Sequence, residues 1–292
     1  MDFKQIEAFV NVVRYKNFSK AADATFFTQP TLSTHVANLE EELGVKLLDR
    51  HGRTVEMTPQ GAEFYKYAVE MINARSQAFE ALKGSHDTVS GILEIQASSI
   101  PGVTFLPEIL TEFRNKHDNI QYYVTLSDTQ NVIDNILDRR GEIGFVGDRI
   151  DANALEYTKV FTDKVIMIAP KSFGITSPLT MAEAVKYPFL WRESGSATRK
   201  SFEKTATGLG FDKNAFNIAG LFNDLDSIIR SVETGLGVAI LSRSVADTIG
   251  TDRVSHIEIS DFSDERDFYM VRLRNTSLSP AAEAFSEYVK TR

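Results

Sequence analysis

The chain has 292 residues, of which 42% are hydrophobic and 25% charged. This is the balance of a globular protein of about two domains, and it excludes a disordered or fibrous chain. There is no cysteine, which excludes disulfides, thiolate metal sites and cysteine nucleophiles, and the net charge of −8 argues against nonspecific coating of nucleic acid while leaving room for a small DNA-reading surface.

Location and bound groups are constrained by what the sequence lacks. No stretch approaches the ~18 consecutive apolar residues of a membrane helix. The N-terminus carries Asp2, Lys4 and Glu7 where a secretion signal has a basic segment and an apolar run, so we expect a cytoplasmic protein. The histidines show no metal-ligand spacing and no motif indicates a cofactor, so we expect neither a metal nor a cofactor.

Residues 1–45 are predicted to form three helices. The first has four apolar residues at the spacing of one buried face: Ile6, Phe9, Val10 and Val13. The second is short, with Ser19 as its N-cap and Phe18 as a hydrophobic staple. The third begins near Pro30 and ends at Gly44, with four leucine and valine side chains facing inward: Leu32, Val36, Leu39 and Leu43. Only about Phe27 and Thr28 separate helices two and three, which is helix-turn-helix geometry.

The third helix has an uncharged outer face. No charged residue occurs from Ala24 to Leu39, and short polar side chains lie off the apolar stripe: Gln29, Thr31, Ser33, Thr34 and Asn38. Hydroxyls and amides suit the major groove, where donors and acceptors must fit base edges and a carboxylate would be repelled by phosphate. The alternative is a neutral helix docked on another part of the protein.

Two short strands around a glycine turn follow and predict a wing. They cover Leu47–Arg50 and Thr54–Thr58, with Arg50 and Arg53 at or beside the tip. There a cation can reach a phosphate or the minor groove. Alternatively, Arg53 is only a solvated turn residue and Arg50 pairs with a neighbouring carboxylate.

A long helix is predicted from Pro59 to about Gly84. One side carries a heptad-like seam interrupted by an arginine: Gly61, Tyr65, Ala68, Ile72, Arg75, Phe79 and Leu82. A two-stranded pairing along this seam would place two reading heads on one duplex. The alternative is a helix folded back on its own core.

A polar linker over residues 86–90 precedes a second architecture. Strand-like runs alternate with helical segments in β-α-β-α-β order: Ile92–Ala97, Thr104–Asn115, Ile120–Leu126, Thr129–Arg139 and Ile143–Gly147. Further strands follow at Lys164–Ala169, Phe189–Trp191, Phe216–Phe222 and Gly237–Leu241. This alternation predicts two α/β subdomains with a cleft between them. Asp267–Leu273 is predicted to return the chain to the first subdomain, and Ser279-Pro280 to cap a last helix.

The predicted organisation is therefore an α+β multidomain chain. A winged helix-turn-helix domain covers residues 1–58, a dimerising linker helix covers 59–88, and an effector-binding domain covers 91–292. Within the last region, subdomain I comprises 91–161 and 268–292, and subdomain II comprises 162–267.

Polar residues at the carboxyl ends of predicted strands indicate a ligand site. The candidates are Ser98, Ser99, Ser127, Thr129, Ser196, Thr198 and Arg199. Ligands of doubly wound sheets bind at this edge, where helix N-termini present N–H groups. Hydroxyls, amides and an arginine would bind a small anion such as a carboxylate, sulfite, sulfate or phosphate. Each hydroxyl can equally be a plain helix cap.

The N-terminal residues resemble the LysR-type transcriptional regulators. The motifs are Phe18-Ser19-Lys20-Ala21-Ala22, Thr28-Gln29-Pro30-Thr31-Leu32-Ser33, Leu39-Glu40, Glu42-Leu43-Gly44, Leu47-Leu48-Asp49-Arg50 and Thr58-Pro59-Gln60-Gly61. The resemblance implies a sequence-specific regulator with a periplasmic-binding-protein-like effector domain, a homodimer assembling to a homotetramer, and RNA polymerase as a possible partner. It places Gln29, Pro30, Thr31, Ser33 and Thr34 on the base-reading turn, and Arg50 and Arg53 on the wing.

Residues 191–199 are similar to a segment in the family branch that includes regulators of sulfur and carbon assimilation. That branch binds small anionic effectors. Three residues depart from its pattern: Ala197 replaces a glycine, Ile100 a common hydroxyl residue, and Asp224 an uncharged Asn or Ser. Asp224 is expected in the cleft, where it either holds Arg199 or excludes a doubly charged ligand.

Three functions are weighed on these residues. The first is a ligand-responsive DNA-binding regulator, and the second is a small-anion-binding protein whose N-terminal domain serves only dimerisation. The third, an enzyme, lacks a supporting constellation, because Gly235-Leu236-Gly237 precedes a strand, the wrong order for dinucleotide binding. Asp128 and Asp148 without a histidine, lysine or cofactor motif are thin grounds for catalysis, so we predict no catalytic residues.

Overall fold

The computed structural model describes residues 1–51, 54–82, 89–150, 152–249, 252–262 and 265–292. These residues form two compact units. The first comprises Met1–Leu93, Lys116–Tyr122 and Leu278–Ala284, and the second comprises Glu94–Asn115, Tyr123–Ser277 and Phe285–Arg292. Among the described residues, no helix is long and apolar enough to cross a membrane.

The first unit contains a winged helix-turn-helix followed by a long helix. Its elements are α1 Phe3–Tyr15, α2 Phe18–Asp23, α3 Gln29–Leu43, β1 Leu48–His51, β2 Thr54–Met57 and α4 Pro59–Leu82. The antiparallel pair of β1 and β2 is the predicted wing. The helices begin and end close to the predicted residues.

The capping residues explain why these helices begin and end where they do. Thr28 caps α3 with Pro30 in its first turn, and Gly44 ends the helix in the left-handed conformation at φ 69°, as predicted. The predicted cap of α2 is wrong. Asn17, not Ser19, caps this helix, because the Asn17 side chain accepts hydrogen bonds from the amides of Ser19 and Lys20 at 2.8 and 3.0 Å. The segment between α2 and α3 is also longer than predicted, running from residue 24 to 28.

The core of the first unit follows the predicted apolar stripes with two exceptions. Buried residues include Ile6, Phe9, Val10, Leu32, Val36 and Leu39. Val13 is only half-buried, whereas Ala8 and Val12 are fully buried, because α1 packs against both α3 and α4 and so buries a wider face. Leu43 is 37% exposed, contrary to the expectation, because it lies in the last turn of α3 beyond the packed part of the helix.

The first half of the long helix packs within its own unit. Ala68 and Ile72 of the predicted seam are buried, and Tyr65 accepts a hydrogen bond from Arg14. Farther along, Asn73 is 3% exposed and holds both the N–H and the C=O of Ile92 with its side-chain amide. The alternative interpretation of the seam, a helix folded on its own core, therefore accounts for these positions. Phe79 of the seam is 55% exposed.

A buried carboxylate joins α3 to the wing. Glu40 is 5% exposed, and it accepts hydrogen bonds from the amides of Leu47 and Leu48 at 2.9 and 3.1 Å and from the Lys46 ammonium at 2.8 Å. Burial alone would raise the pKa of Glu40, but these three donors together hold it below its ordinary value of 4.5. The carboxylate thus fixes the start of the wing relative to the reading helix.

Replacing Glu40 with alanine is expected to lower the free energy of unfolding by about 2 kcal/mol, because two buried amides lose their acceptor. Since the folded pKa lies below the unfolded value, the charged side chain stabilises the wild type above about pH 4.5. That contribution is lost as the pH falls through the folded pKa. Urea unfolding at pH 7 and pH 3 should show a smaller difference between Glu40→Ala and wild type at pH 3. An equal difference at both pH values would contradict this assignment.

The second unit is built on one mixed sheet. Its strands and helices are β3 Gly91–Ser98, α5 Ser99–Val103, α6 Leu106–Arg114, β4 Ile120–Ser127, α7 Thr129–Leu137, β5 Ile143–Val146, β6 Leu155–Pro170, α8 Met181–Ala184, β7 Pro188–Arg192, α9 Ala197–Gly208, β8 Asn217–Phe222, α10 Leu225–Glu233, β9 Val238–Ser242, α11 Arg243–Ile249, β10 Val254–Ile257, β11 Glu265–Leu273 and α12 Pro280–Thr291. Of these, β3, β4 and α12 begin at residues that belong to the first unit.

The strand order is β4-β3-β5-β11-β6-β9-β7-β8, with β10 paired to β6. The pairs β3–β5, β7–β8 and β7–β9 are parallel, as the β-α-β rhythm predicts. Strands β6 and β11 run antiparallel along each other and connect the two halves of the sheet. We call the part built on β3, β4 and β5 the first half, and the part built on β7, β8 and β9 the second half.

Three features of this sheet were not predicted. Strand β6 begins at Leu155 rather than near Lys164, and β10 had no prediction. The helix expected near Thr104–Asn115 is present as α6, but the short helix α5 before it was not predicted, and the backbone of Thr104, at φ −104° and ψ −92°, separates the two. The predicted return strand and last helix are both present as β11 and α12.

Candidate DNA-reading surface and effector cleft

The outer face of α3 is exposed and uncharged. Gln29, Pro30 and Thr34 are exposed, and Thr31 and Ser33 are half-exposed. Two of the hydroxyls are engaged locally, since Thr31 and Thr28 share a 2.8 Å hydrogen bond and Thr34 donates to the carbonyl of Pro30 at 2.9 Å. We call this face, residues 29–34, the reading surface.

Arg50 on the wing reaches the reading surface. Its guanidinium lies over the ring of Phe18, with Cζ 4.5 Å from the ring centroid, and donates to Ser33 Oγ at 3.3 Å. The structure thus brings together Arg50 and Ser33, two residues predicted separately to contact DNA. Arg53, the other predicted wing arginine, lies outside the described residues.

Sequence reasoning missed one prominent side chain beside this surface. Phe26, in the segment between α2 and α3, is fully exposed, whereas Phe27 packs edge-on against His35. Two successive phenylalanines in a short connection were the available signal, because that connection can bury only one of them.

The second unit contains a small polar cavity at the strand ends, here called the inner cleft. Five predicted residues line it: Ser98, Ser99, Thr129, Ser196 and Thr198. Arg192, Glu193 and Arg266 line it as well, and they were not predicted as ligand contacts. The inner cleft has a volume of about 20 Å³, enough for about one water molecule.

Two buried arginines dominate the inner cleft. Arg192 is 5% exposed and forms a two-pronged ion pair with Glu193, with both N···O distances 2.9 Å, while its Nη2 lies 3.4 Å from Ser99 Oγ. Arg266 is 6% exposed and donates to Thr198 Oγ1 at 2.6 Å and to the carbonyl of Gly147 at 2.7 Å. The cleft therefore has buried guanidinium groups of the kind that bind carboxylate and phosphate oxygens.

Two buried hydroxyls line the same cavity and make no protein hydrogen bond within the described part of the chain. Ser98 is the N-cap of α5 without a capping bond from its side chain, and Thr129 opens α7. Each is 7% exposed. Both hydroxyls are therefore available to donate to or accept from a polar group bound in the cavity.

Three predicted effector contacts do not line the inner cleft: Ser127, Arg199 and Asp224. Arg199 points away from the inner cleft. Its guanidinium stacks on Trp191, 5.1 Å from the ring centroid, pairs with Glu203 at 2.9 Å and donates to the carbonyl of Arg192 at 2.8 Å. Asp224 does not hold Arg199. Its carboxylate caps α10 by accepting from the amide of Ser227 at 2.7 Å.

A larger cavity of about 600 Å³ adjoins the inner cleft, and we call it the outer cavity. Ser99, Asp128 and Glu193 line both cavities. Ser127 and Asp224, both predicted effector contacts, line the outer one. The predicted effector contacts are therefore divided between the inner cleft and the outer cavity.

The sequence did contain a signal for the two missed arginines. Arg266 alternates with Phe268 and Met270 along β11, and all three are buried. An arginine in phase with an apolar strand face is unusual, because a buried charge needs a specific partner or ligand. Arg192 is the last residue of β7, directly after the apolar residues of that strand, and it is buried as they are.

Comparison with known proteins matches both parts of the chain. The model of the LysR substrate binding domain matches residues 86–292, and that of the bacterial regulatory helix-turn-helix proteins of the lysR family matches residues 3–62. The HTH-type transcriptional regulator CysL of Bacillus subtilis is 28% identical, over 91% of this chain and 89% of its own. The RuBisCO operon transcriptional regulator of Allochromatium vinosum is 24% identical, over 99% of this chain and 95% of its own.

Solved structures share the fold. Full-length CbnR complexed with its target DNA has a TM-score of 0.68 at 19% identity, covering 100% of this chain and 99% of that one. The CcmR regulatory domain of Synechocystis in complex with 2-PG has a TM-score of 0.62 at 18% identity, covering 68% of this chain and 96% of that one.

The matched family models describe transcriptional regulators rather than enzymes, and together they cover nearly the whole chain. The helix-turn-helix, the wing and the α/β domain with its cleft agree with that assignment. The chain belongs to the LysR family and is a LysR-type transcriptional regulator with a DNA-binding and an effector-binding domain.

Proposed function

We propose that this regulator reads operator DNA with residues 29–34 and the wing arginines, and that a small anion in the inner cleft controls that binding. The proposed domains are residues 1–58 for DNA binding, 59–88 for the linker helix and 91–292 for effector binding. The observation that carries the effector proposal is that two buried arginines line the same cavity as the hydroxyls of Ser98 and Thr129, which have no hydrogen-bond partner in the described part of the chain.

The chemistry of the inner cleft favours an oxyanion. Arg192 pairs with Glu193, and Arg266 donates to the Thr198 hydroxyl and the Gly147 carbonyl at 2.6 and 2.7 Å. Guanidinium donors and two hydroxyl donors match the acceptor-only oxygens of a carboxylate, sulfite, sulfate or phosphate. The complex of CcmR with 2-PG supports a small ligand in a regulator of this fold.

The size of the inner cleft connects binding to conformation. A cavity of about 20 Å³ is too small for a four-oxygen anion, so binding requires the Arg192–Glu193 pair or the two halves of the sheet to move. Residues on both halves line the cleft, including Thr129 on the first and Arg192 on the second. An anion held by both halves would favour one relative arrangement, and we propose that this arrangement changes DNA binding and bending.

We propose a homodimer that assembles into a homotetramer. Large apolar side chains are exposed on α4, at Tyr67 and Phe79, and on the edge strands β4 and β8. On those strands they include Val124 and Leu221, which are 39% and 65% exposed. Exposed apolar residues on edge strands favour pairing with another chain. CbnR in complex with its target DNA supports DNA as the partner of the first unit.

Fluorescence anisotropy with the chain's own upstream intergenic DNA tests the DNA proposal. We expect tight binding that falls with salt and a clear preference over random duplex of the same length. Equal, weak binding of both duplexes would instead support an anion-binding protein whose N-terminal domain only dimerises.

Replacing Thr129 with valine tests the anion proposal. The change keeps the side-chain shape and removes a hydroxyl that has no protein partner among the described residues, so thermal stability without ligand should be unchanged. Affinity for sulfate or phosphate, whichever binds the wild type, should fall roughly tenfold or more by calorimetric titration, because a hydrogen bond to a charged group is lost. Thr207→Ala is the control, since the Thr207 hydroxyl bonds to the carbonyl of Glu203 within its own helix. Unchanged affinity in Thr129→Val would place the anion elsewhere.

A further inference from the structure

The outer cavity is more acidic than the inner cleft, where Asp128 and Glu193 balance the charges of Arg192 and Arg266. Its lining contains no lysine or arginine among the described residues, but it does contain four carboxylates: Asp128, Glu193, Asp224 and Asp226. Two of these are paired with cations, Glu193 with Arg192 at 2.9 Å and Asp226 with Arg230 at 2.7 Å. The other two cap helices, which leaves their negative charge beside the cavity.

Asp224 is the carboxylate best placed to act on a ligand. The amide and side chain of Ser227 hold the pKa of Asp224 below its ordinary value, with a further contribution from the charge of Arg192. The group is therefore ionised throughout the neutral pH range. The Ser227 amide donates to Oδ2 of Asp224 at 2.7 Å, and Asp224 lines the outer cavity.

The wall beside these carboxylates is apolar. Leu225, Ile229 and Val245 are buried behind it, while Val103 and Leu126 are 39% and 51% exposed. Apolar side chains that remain half-exposed in a cavity can be covered by the hydrocarbon part of a ligand. The outer cavity therefore combines carboxylates with an apolar wall, next to the cleft that holds the arginines.

We infer that the effector is a dipolar molecule, with an anionic group in the inner cleft and an ammonium-type cation on an apolar stem in the outer cavity near Asp224. This inference rests on the proposed function, because it adds a cationic end to the anion proposed there. Two features carry it together. The inner cleft has two arginines beside Asp128 and Glu193, together with the hydroxyls of Ser98 and Thr129, whose residues are each 7% exposed and have no side-chain partner in the described ranges. Among the described residues that line the adjoining space, the only charged groups are carboxylates.

A matched set of ligands tests the inference on the full-length chain. The set is 5-aminopentanoate, pentanoate and pentylamine, with the four- and six-carbon homologues of each to allow for stem length. Calorimetric titration should show that the best amino acid binds at least tenfold more tightly than the acid or the amine of equal length.

Asp224→Asn provides the structural control, because asparagine caps a helix as well as aspartate and only the charge is removed. In this variant the advantage of the amino acid over the plain acid should fall below threefold, while the plain acid binds as well as before or better. Asp212→Asn makes the same change at a cap outside both cavities, where Asp212 accepts from the Asn214 amide at 2.8 Å, and should keep the tenfold advantage.

The outcomes separate this inference from the proposed function. If plain acids, sulfate or phosphate bind and the amino acids have no advantage, the dipolar effector is wrong and the anion site stands. If the advantage persists in Asp224→Asn, the cation lies elsewhere and the inference is overturned. If none of the amino acids, acids or inorganic anions binds, both proposals fail.

Discussion

Replacing Gly61 with alanine is expected to destabilise the first unit by about 3 kcal/mol. Gly61 lies in the first turn of α4, where an added Cβ would overlap the carbonyl oxygen of Leu47 and lie 2.9 Å from its carbonyl carbon. That carbonyl cannot move freely, because it also accepts the Thr58 amide at 3.0 Å. Differential scanning calorimetry should show the Tm of the first unit lowered by more than about 10 °C, with a parallel loss of operator binding.

The matched control is Gly208→Ala in α9. No atom lies within 4 Å of the Cβ that this change would add, so the substitution should stabilise the helix by about 0.5–1 kcal/mol through backbone entropy. A wild-type Tm for Gly61→Ala would contradict the close approach of α4 to the start of the wing.

Ser33→Ala is expected to weaken operator binding by about 1–3 kcal/mol, or roughly 5- to 150-fold. Ser33 lies on the reading surface, and its hydroxyl is the contact that the structure shows between this surface and Arg50. Binding to random duplex should change much less, because Arg50 keeps its position over Phe18 and remains available to phosphate. Anisotropy titrations of the two duplexes at one salt concentration measure the difference.

Arg50→Gln should behave differently from Ser33→Ala. Loss of one phosphate-contacting cation weakens binding to both duplexes. It also lowers the steepness of the plot of log binding constant against log salt concentration by about one unit. Thr111→Ala is the inert control for both variants, since its hydroxyl bonds to the Pro107 carbonyl in the second unit. Equal losses on operator and random DNA in Ser33→Ala would assign Ser33 to phosphate positioning.

The reading helix could be predicted from sequence because its signals are local. Thr28, Pro30 and Gly44 set its ends through their own backbone preferences, and the apolar stripe identifies its buried face. The apolar seam of the long helix, in contrast, could be interpreted in two ways from sequence. Ala68 and Ile72 satisfy a heptad pattern equally well whether they face a second chain or α1 of the same chain, and here they are buried within the unit.

The effector cleft could be predicted only in part. Strand ends and helix starts identified Ser98, Thr129, Ser196 and Thr198, because backbone order determines which edge of the sheet they occupy. The direction of a long side chain has no such local determinant. Arg199 lies in the predicted segment but turns toward Trp191 and Glu203. Arg266, far along the chain, instead reaches the cleft because β11 runs back antiparallel through the sheet.

The hydrogen bonds in the first unit show the structural role of residues that the sequence motifs only identify. In the motif Thr58-Pro59-Gln60-Gly61, the Thr58 hydroxyl accepts from the Gly61 amide at 2.9 Å and donates to the Lys46 carbonyl at 2.7 Å. Glu40 holds the same segment from the other side through the amides of Leu47 and Leu48. These residues hold the wing against α3 and α4, and thereby position Arg50 beside Ser33.

The most direct test of this account selects DNA from a random-sequence pool with the full-length chain and with Ser33→Ala. We predict that the wild type enriches one two-part motif, whose halves are spaced for a pair of reading helices, and that the variant loses discrimination at one base pair in each half. Failure of the wild type to enrich any motif, or recovery of an identical motif by both proteins, would contradict the claim that residues 29–34 read base pairs.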